Sequence, residues 1–271
     1  MQALDVLLVQ NSAGTDEAAN RAAIEGLLDG TSGTDLIALP EVCLLRGGHE
    51  DYVAQAASIP GPTTEWLAGL ARRHGAWLLA GSTMEAADGV VYNTSLLFDR
   101  AGGLRAAYRK MHLFEATLDT GEVIRESDTY APGAEPVQAD IEGWSCGLSI
   151  CYDLRFPELY RRYAACGAAL LLIPSNFTQR TGRDHWNVLV RARAIENQCF
   201  VVAPGQCGRN PRTGVESHGH SMVAEPWGGV LAEAGRDEGV IRARLDPARL
   251  NEVRSRIPVL DHRRLVADAA G

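Results

Sequence analysis

Three residues of reactive type each close an apolar run. Glu41 ends "LIALPE", Lys110 ends "LRAAYRK" and Cys151 follows "LSI". Cysteine is the strongest side-chain nucleophile near neutral pH, but it needs a base or a cation beside it to yield thiolate. Strand carboxyl ends in an open α/β sheet border the crevice where ligands bind. If these three ends converge, they bring together a base, a cation and a nucleophile. Each residue also has a plainer reading. Cysteine is commonly core, a glutamate at a strand end can cap a turn, and a lysine there can be an edge charge. Yet Cys151 is followed at once by Asp153 and Arg155, and then by Phe156-Pro157-Glu158, which opens a helix. A core cysteine needs no such neighbours.

A second pairing is open. His185 in "DHWNVLV" and His218 in "ESHGHSM" offer a Cys–His arrangement, though His185 at a helix start and His218 entering a strand suit structural contacts equally. There is no HExxH, no CxxC and no glycine-rich phosphate loop, so no metal and no cofactor are expected.

The elements that must position these residues belong to a chain of 271 residues, compatible with one domain spanning 1–271. At this size a core forms without disulfide or metal support. Net charge is -8, and no Lys/Arg cluster is interleaved with aromatics, which argues against nucleic acid. The N-terminus lacks a basic leader and Asp5 interrupts its apolar stretch, so neither a signal peptide nor a membrane helix is expected. Six cysteines without a CxxC pair suit reduced thiols and a cytoplasmic setting.

Early segments alternate strand and helix. "LDVLLVQ" precedes the helical "DEAANRAAIEGLLDG", with Ala18, Ala22, Ile24, Leu27 and Leu28 on its inner face. "DLIALPE" precedes "PTTEWLAGLARRHG", whose first Pro and last Gly mark helix ends. After "AWLLAGS" come two strands about a Gly turn (90–110), then a long, mostly irregular stretch (111–133); such loops are usually functional. "GWSCGLSICYD", "AALLLIPSN" and "CFVVAPGQ" read as strands, interleaved with helices at "FPELYRRYAACG" and at 184–198, where Trp186, Leu189, Val190, Ala194 and Ile195 point inward. A hairpin about Pro226-Trp227-Gly228, a strand "GVIRARLD", a helix "PARLNEVRSRI" and a tail complete the chain. The mixture predicts two sheets face to face with helices outside, a four-layer α-β-β-α sandwich; a doubly wound single sheet is the alternative.

"LPE" at 39–41, "YRKMHLF" at 108–114 and "ICYDLRFPEL" at 150–159 resemble the three signature segments of the nitrilase or carbon–nitrogen hydrolase superfamily. The resemblance covers nearly the whole chain. It implies a Glu41–Lys110–Cys151 triad, a second active-site glutamate at Glu126, the four-layer fold, and at least a homodimer with the C-terminal tail (257–271) at the interface. The expected chemistry is thiol-dependent hydrolysis of a small amide through a thioester. Lys110 and the Tyr152 backbone N–H would receive the oxyanion.

Arg155 stands four residues after Cys151, where a guanidinium would hold a substrate carboxylate; an ion pair with Asp153 or Glu158 is the competing reading. Thr181 would add a hydroxyl, or is an ordinary polar loop residue. "PSNFTQRTG", "RARAIENQCFV" and "GQCGR" are most similar to the amidases acting on deaminated glutathione, with omega-amidases and N-carbamoyl amino acid hydrolases as alternatives. Asn176 replaces a common alanine of "PSAFT", and "PEVCLLRGG" is atypical, so the leaving-group side is expected to differ. Asn176 and its neighbour Phe177 are taken as substrate-binding. A catalytically silent binding protein on the same fold is the alternative from another class.

Overall fold

The computed structural model describes residues 1–117 and 123–265. In chain order the first half contains β1 (Leu4–Gln10), α1 (Glu17–Leu28), β2 (Leu36–Ala38), α2 (His49–Gln55), α3 (Pro62–His74), β3 (Trp77–Leu79), β4 (Thr83–Ala87), β5 (Val90–Phe98) and β6 (Leu104–Arg109). The second half contains β7 (Glu115–Thr117), β8 (Val123–Arg125), β9 (Val137–Ile141), β10 (Trp144–Leu148), α4 (Pro157–Ala165), β11 (Leu170–Leu172), α5 (Gln179–Asn197), β12 (Phe200–Ala203), β13 (Met222–Ala224), β14 (Val230–Glu233), β15 (Gly239–Leu245) and α6 (Pro247–Arg256).

Among the described residues two large sheets form, beside the small β7-β8 pair, which removes the single doubly wound sheet. One runs β15-β1-β2-β3-β5-β4, with β6 on β5; the other runs β14-β13-β12-β11-β10-β9. Each has a parallel trio at its centre, β1-β2-β3 and β10-β11-β12. Their strands are apolar on both faces, as buried parallel strands must be. Leu4, Val6 and Leu8 enter the core between the sheets, while Leu7 and Val9 meet Ile24, Leu28, Leu67 and Leu70 of α1 and α3. On the far side, Tyr160 and Tyr163 of α4 and Trp186 and Val190 of α5 cover the second sheet. Gly147 in β10 is obligatory here, because a Cβ would lie 2.4 Å from the Tyr163 ring.

Sequence signals for helix ends hold. Asp16 accepts from Ala19 N–H at the start of α1, and Gly75 closes α3 in the left-handed region at φ 56°. Three expectations are corrected. Ala18 and Ala22 are exposed; the inner face of α1 is Asn20, Ile24 and Leu28, because Asn20 Nδ2 reaches Gly14 O and Leu44 O. The helix expected from 184 begins at Gln179. Ile195 is 49% exposed, and Arg193 and Asn197 take the inner face instead. The stretch 111–133 also contains the β7-β8 pair, and α2, β4 and β9 are further elements beyond those expected from the sequence. Part of that stretch (118–122) and of the tail (266–271) lies outside the described residues.

Candidate active site

None of the three reactive residues sits on a strand. Each lies just beyond one, on backbone held by the neighbouring strand. β2 stops at Ala38, but Leu39 N–H still bonds Leu79 O at 2.9 Å. The chain then turns at Glu41. Gly81 makes room for this turn, since a Cβ there would lie 1.9 Å from Pro40 O. Val42 follows in the left-handed region at φ 52°, its N–H bound to Ser82 Oγ at 3.0 Å. Lys110 follows β6 and donates its N–H to Asn93 O at 2.8 Å. Cys151 begins a 3-10 turn (Cys151–Arg155) three residues past β10. Its φ is 48° and its N–H bonds Pro174 O at 2.9 Å. A left-handed conformation is uncommon for cysteine and rarer for a β-branched valine, and such strain gathers at functional sites. Here it flanks the base and carries the thiol.

The three ends meet around one ammonium. Lys110 Nζ donates to Glu41 Oε1 at 2.8 Å and lies 2.8 Å from Glu126 Oε2. Asn93 Nδ2 adds a bond to Glu41 Oε1 at 3.0 Å, and Phe114 N–H bonds Glu126 Oε2 at 2.7 Å. Burial alone would push the Lys110 ammonium down, but Glu126 and Glu41 outweigh it and hold its pKa well above the ordinary value. Burial pushes the Glu126 carboxyl up, with Glu41 adding to the rise and Lys110 opposing it. Burial and the Glu41 charge raise the Cys151 thiol well above its usual range, against the pull of Lys110 and of an N–H bond from Asn176. Cys151 therefore rests as a thiol, and to act as a nucleophile it would have to pass its proton to a neighbouring base.

Asp153, fully buried, ties two of the signature segments together. Its carboxylate accepts from Tyr108 Oη at 2.7 Å, Ile150 N–H at 2.8 Å and His112 N–H at 3.0 Å. It thus joins the residues flanking Lys110 to the Cys151 turn. Tyr152, second in that turn, has a backbone N–H with no acceptor upstream in the helix, the position from which oxyanions are bound.

Cys151, Glu41 and Glu126 open onto a cavity of about 330 Å³, also lined by Tyr152, Arg155, Asn176, Phe177 and Thr181. Arg155 forms no ion pair with Asp153 or Glu158. Its Nη1 contacts His185 Nδ1 at 3.2 Å, and its guanidinium lies 5.3 Å from the Phe177 ring and 5.9 Å from that of Tyr152. Thr181 is not a loop residue; it stands in the first turn of α5, which Thr178 caps, and its Oγ1 is 2.9 Å from Thr178 Oγ1.

The histidines stand apart from the thiol. His185 is exposed beside Arg155. His218 stacks on His220 with ring centroids 4.4 Å apart and bonds Gln179 Oε1 at 3.0 Å. Burial and the neighbouring charges of His220 and Arg236 lower its pKa to about 4. Among the described residues neither bonds Cys151, and no group of three His, Cys, Asp or Glu side chains is gathered to hold a metal. Sequence reasoning missed Asn93 and the clamp made by Asp153. A polar residue amid the apolar "VVYNTSLLF" was the available signal for the first.

The carbon–nitrogen hydrolase family model matches residues 6–255. The chain is 41% identical over 236 residues to the deaminated glutathione amidase of Synechocystis sp., covering 85% of this chain and 86% of that protein. It is 38% identical over 234 residues to the omega-amidase NIT2 of Homo sapiens, covering 86% and 84%. Among solved structures, Saccharomyces cerevisiae Nit3, a member of branch 10 of the nitrilase superfamily, matches with a TM-score of 0.87 at 33% identity over 97% of both chains.

Proposed function

This chain belongs to the carbon–nitrogen hydrolase family and is a hydrolase of non-peptide C–N bonds, and on that premise we propose that it cleaves the amide of a 2-oxo-glutaramyl substrate such as deaminated glutathione through a Cys151 thioester. The reading rests on one observation. Lys110 Nζ sits 2.8 Å from both Glu41 and Glu126, and the charges of all three act on the buried Cys151 thiol.

Glu41 takes the thiol proton as Cys151 Sγ attacks the amide carbon. Lys110 has three N–H donors; two are held by the glutamates, leaving one for the developing oxyanion beside the Tyr152 N–H. Glu41 returns its proton to the nitrogen, the C–N bond breaks and the amine leaves. Water then gives a proton to Glu41 as it attacks the thioester carbon. The C–S bond breaks, the acid departs and Glu41 restores the thiol. One carboxyl serves both halves because each half reverses the other's proton transfer. Glu126 positions Lys110 and, with its raised pKa, limits the negative charge around it.

Arg155 and Thr181 hold the 2-oxo carboxylate at the cavity mouth, with Phe177 packed beneath the guanidinium. A cavity of about 330 Å³ lies within the ordinary range for small-molecule sites. The proposal includes a cytoplasmic homodimer, supported by six free thiols and by exposed Val188, Ile195 and Trp227.

The deciding measurement is kcat/KM for deaminated glutathione against 2-oxoglutaramate on one preparation. Preference for the tripeptide supports the proposal. Preference for 2-oxoglutaramate makes the chain an omega-amidase, and turnover of neither turns attention to N-carbamoyl acids.

A further inference from the structure

Arg46 is fully buried, yet among the described residues no carboxylate pairs with it. Burying a guanidinium costs several kcal/mol unless other groups satisfy it. Here neutral oxygens do so. Nε donates to Ala13 O at 2.9 Å, Nη1 to Cys207 O and Ser217 Oγ at 2.7 Å each, and Nη2 to Ser12 Oγ at 3.2 Å. The Ser217 hydroxyl in turn lies 2.6 Å from Asn176 Oδ1.

Direction in this chain is set by chemistry. A guanidinium only donates, so Ser217 Oγ accepts from Arg46. The single hydroxyl hydrogen of Ser217 is then directed onward, and Asn176 must answer with its carbonyl oxygen. In the opposite amide orientation Ser217 Oγ would accept from both Arg46 and Asn176, and among the described residues its hydroxyl hydrogen would be left without an acceptor. The Asn176 NH2 group is thus turned away from Ser217.

Asn176 lies on the cavity wall with Cys151, and its backbone N–H is placed to lower the pKa of that thiol. The Asn176 side chain borders the same cavity as Cys151. The segment is extended, bridged to Gly205 at Ser175 and to Ser217 at Thr178, so successive side chains diverge. Phe177 turns to Arg155, whereas Asn176 turns to Ser217. Arg155 and Ser217 are thus engaged by adjacent side chains of this segment.

We infer that Arg46 and Ser217 are positioning residues that lock the Asn176 side-chain NH2 as a donor for the leaving-group half of the substrate, where it binds an acceptor oxygen of a peptide-like amine. This deepens the proposed function and rests on it. Ammonia, as leaving group, offers no such oxygen, so the relay acts on the choice between leaving groups.

The test is the ratio of kcat/KM for deaminated glutathione to that for 2-oxoglutaramate. In Asn176→Ala and in Ser217→Ala the ratio should fall about tenfold, the worth of one well-placed hydrogen bond, and Ser217→Thr should restore it. Thermal melts establish that each variant folds. A ratio within twofold of wild type in both alanine variants overturns the inference, because a purely structural loss would lower both activities together. Should the wild type turn over only one of these amides, or neither, the substrate reading is what fails. The donor is then tested by protection of Cys151 from iodoacetamide, read by mass spectrometry, with alanylglycine as a thiol-free stand-in for the leaving amine. Protection that weakens about tenfold in Asn176→Ala supports the relay; no protection of the wild type refutes it.

Discussion

Lys110→Met removes the one ammonium shared by Glu41 and Glu126. Both carboxylates then face each other in a site where the lysine was fully buried and lay 2.8 Å from each. Breaking a buried pair by deleting one partner costs about 3–5 kcal/mol. For a chain of this size that is a fall in Tm of roughly 6–10 °C at neutral pH. The fall has a characteristic pH dependence. Glu126 is already raised by burial and by Glu41, and Lys110 is what opposes the rise. Without Lys110 the native pKa climbs further above the unfolded value. A carboxyl with a raised native pKa contributes stability below its unfolded pKa, and that contribution is lost as pH rises through the native pKa. The variant should therefore lie closest to wild type near pH 5 and furthest from it near pH 8.

Activity should fall by at least about a thousandfold, since one oxyanion donor alone is worth about 10²–10³ in kcat and Glu41 loses its cation as well. The assay is a pair of measurements, Tm by circular dichroism from pH 5 to 8 and kcat on the preferred amide. A Tm difference that stays constant across this range would refute the shared-ammonium account of the site's electrostatics. Activity within tenfold of wild type would refute the role given to Lys110.

Two further perturbations separate base from anchor. Iodoacetamide should modify Cys151 through proton transfer to Glu41, since the thiol pKa is raised; Glu41→Gln should slow that site at least tenfold while Cys166, which is exposed, reacts at its wild-type rate. An unchanged Cys151 rate, mapped by mass spectrometry, would assign the proton to another group. Arg155→Met should lower kcat/KM for a 2-oxo acid amide by about 10–100-fold, the worth of a charge-assisted contact, and should spare the corresponding neutral ester-amide. Equal loss on both would make Arg155 a structural support of Tyr152 and Phe177.

Much of this was legible because the parallel strands are buried on both faces, which writes Val6–Val9 and Leu36–Ala38 as continuous apolar runs. Pro62 and Gly75 mark α3 in the same way. The reactive types after those runs were visible too. Their backbone was not. Neither Cys151 nor Val42 is of a type that favours positive φ, so the strain is imposed by Pro174 O, Ser82 Oγ and the packing around them. The first turn of α5 was hidden by Gly182, a weak helix former, which is required there because a Cβ would lie 2.3 Å from the His218 ring. The Arg46–Ser217 bond joins residues 171 apart, and no local pattern announces such a pair.

The distribution of charge explains why these cations differ in setting. With a net charge of -8, the protein's overall field repels an anionic substrate rather than steering it. Glu41 at the reaction centre adds to that repulsion, and Lys110 is already held by Glu41 and Glu126. A carboxylate approaching the thiol must therefore find its cation elsewhere. Arg155, at the cavity wall and free of an acidic partner among the described residues, is placed to supply it. Arg46 lines the same cavity, but it is buried and four of its five N–H donors are spent on neutral oxygens. One arginine is thus available to a ligand's charge, and the other can act only through the side chain it orients. On the proposed function, an anionic amide entering this cavity would be drawn carboxylate-first to Arg155, which would leave its other end to Asn176.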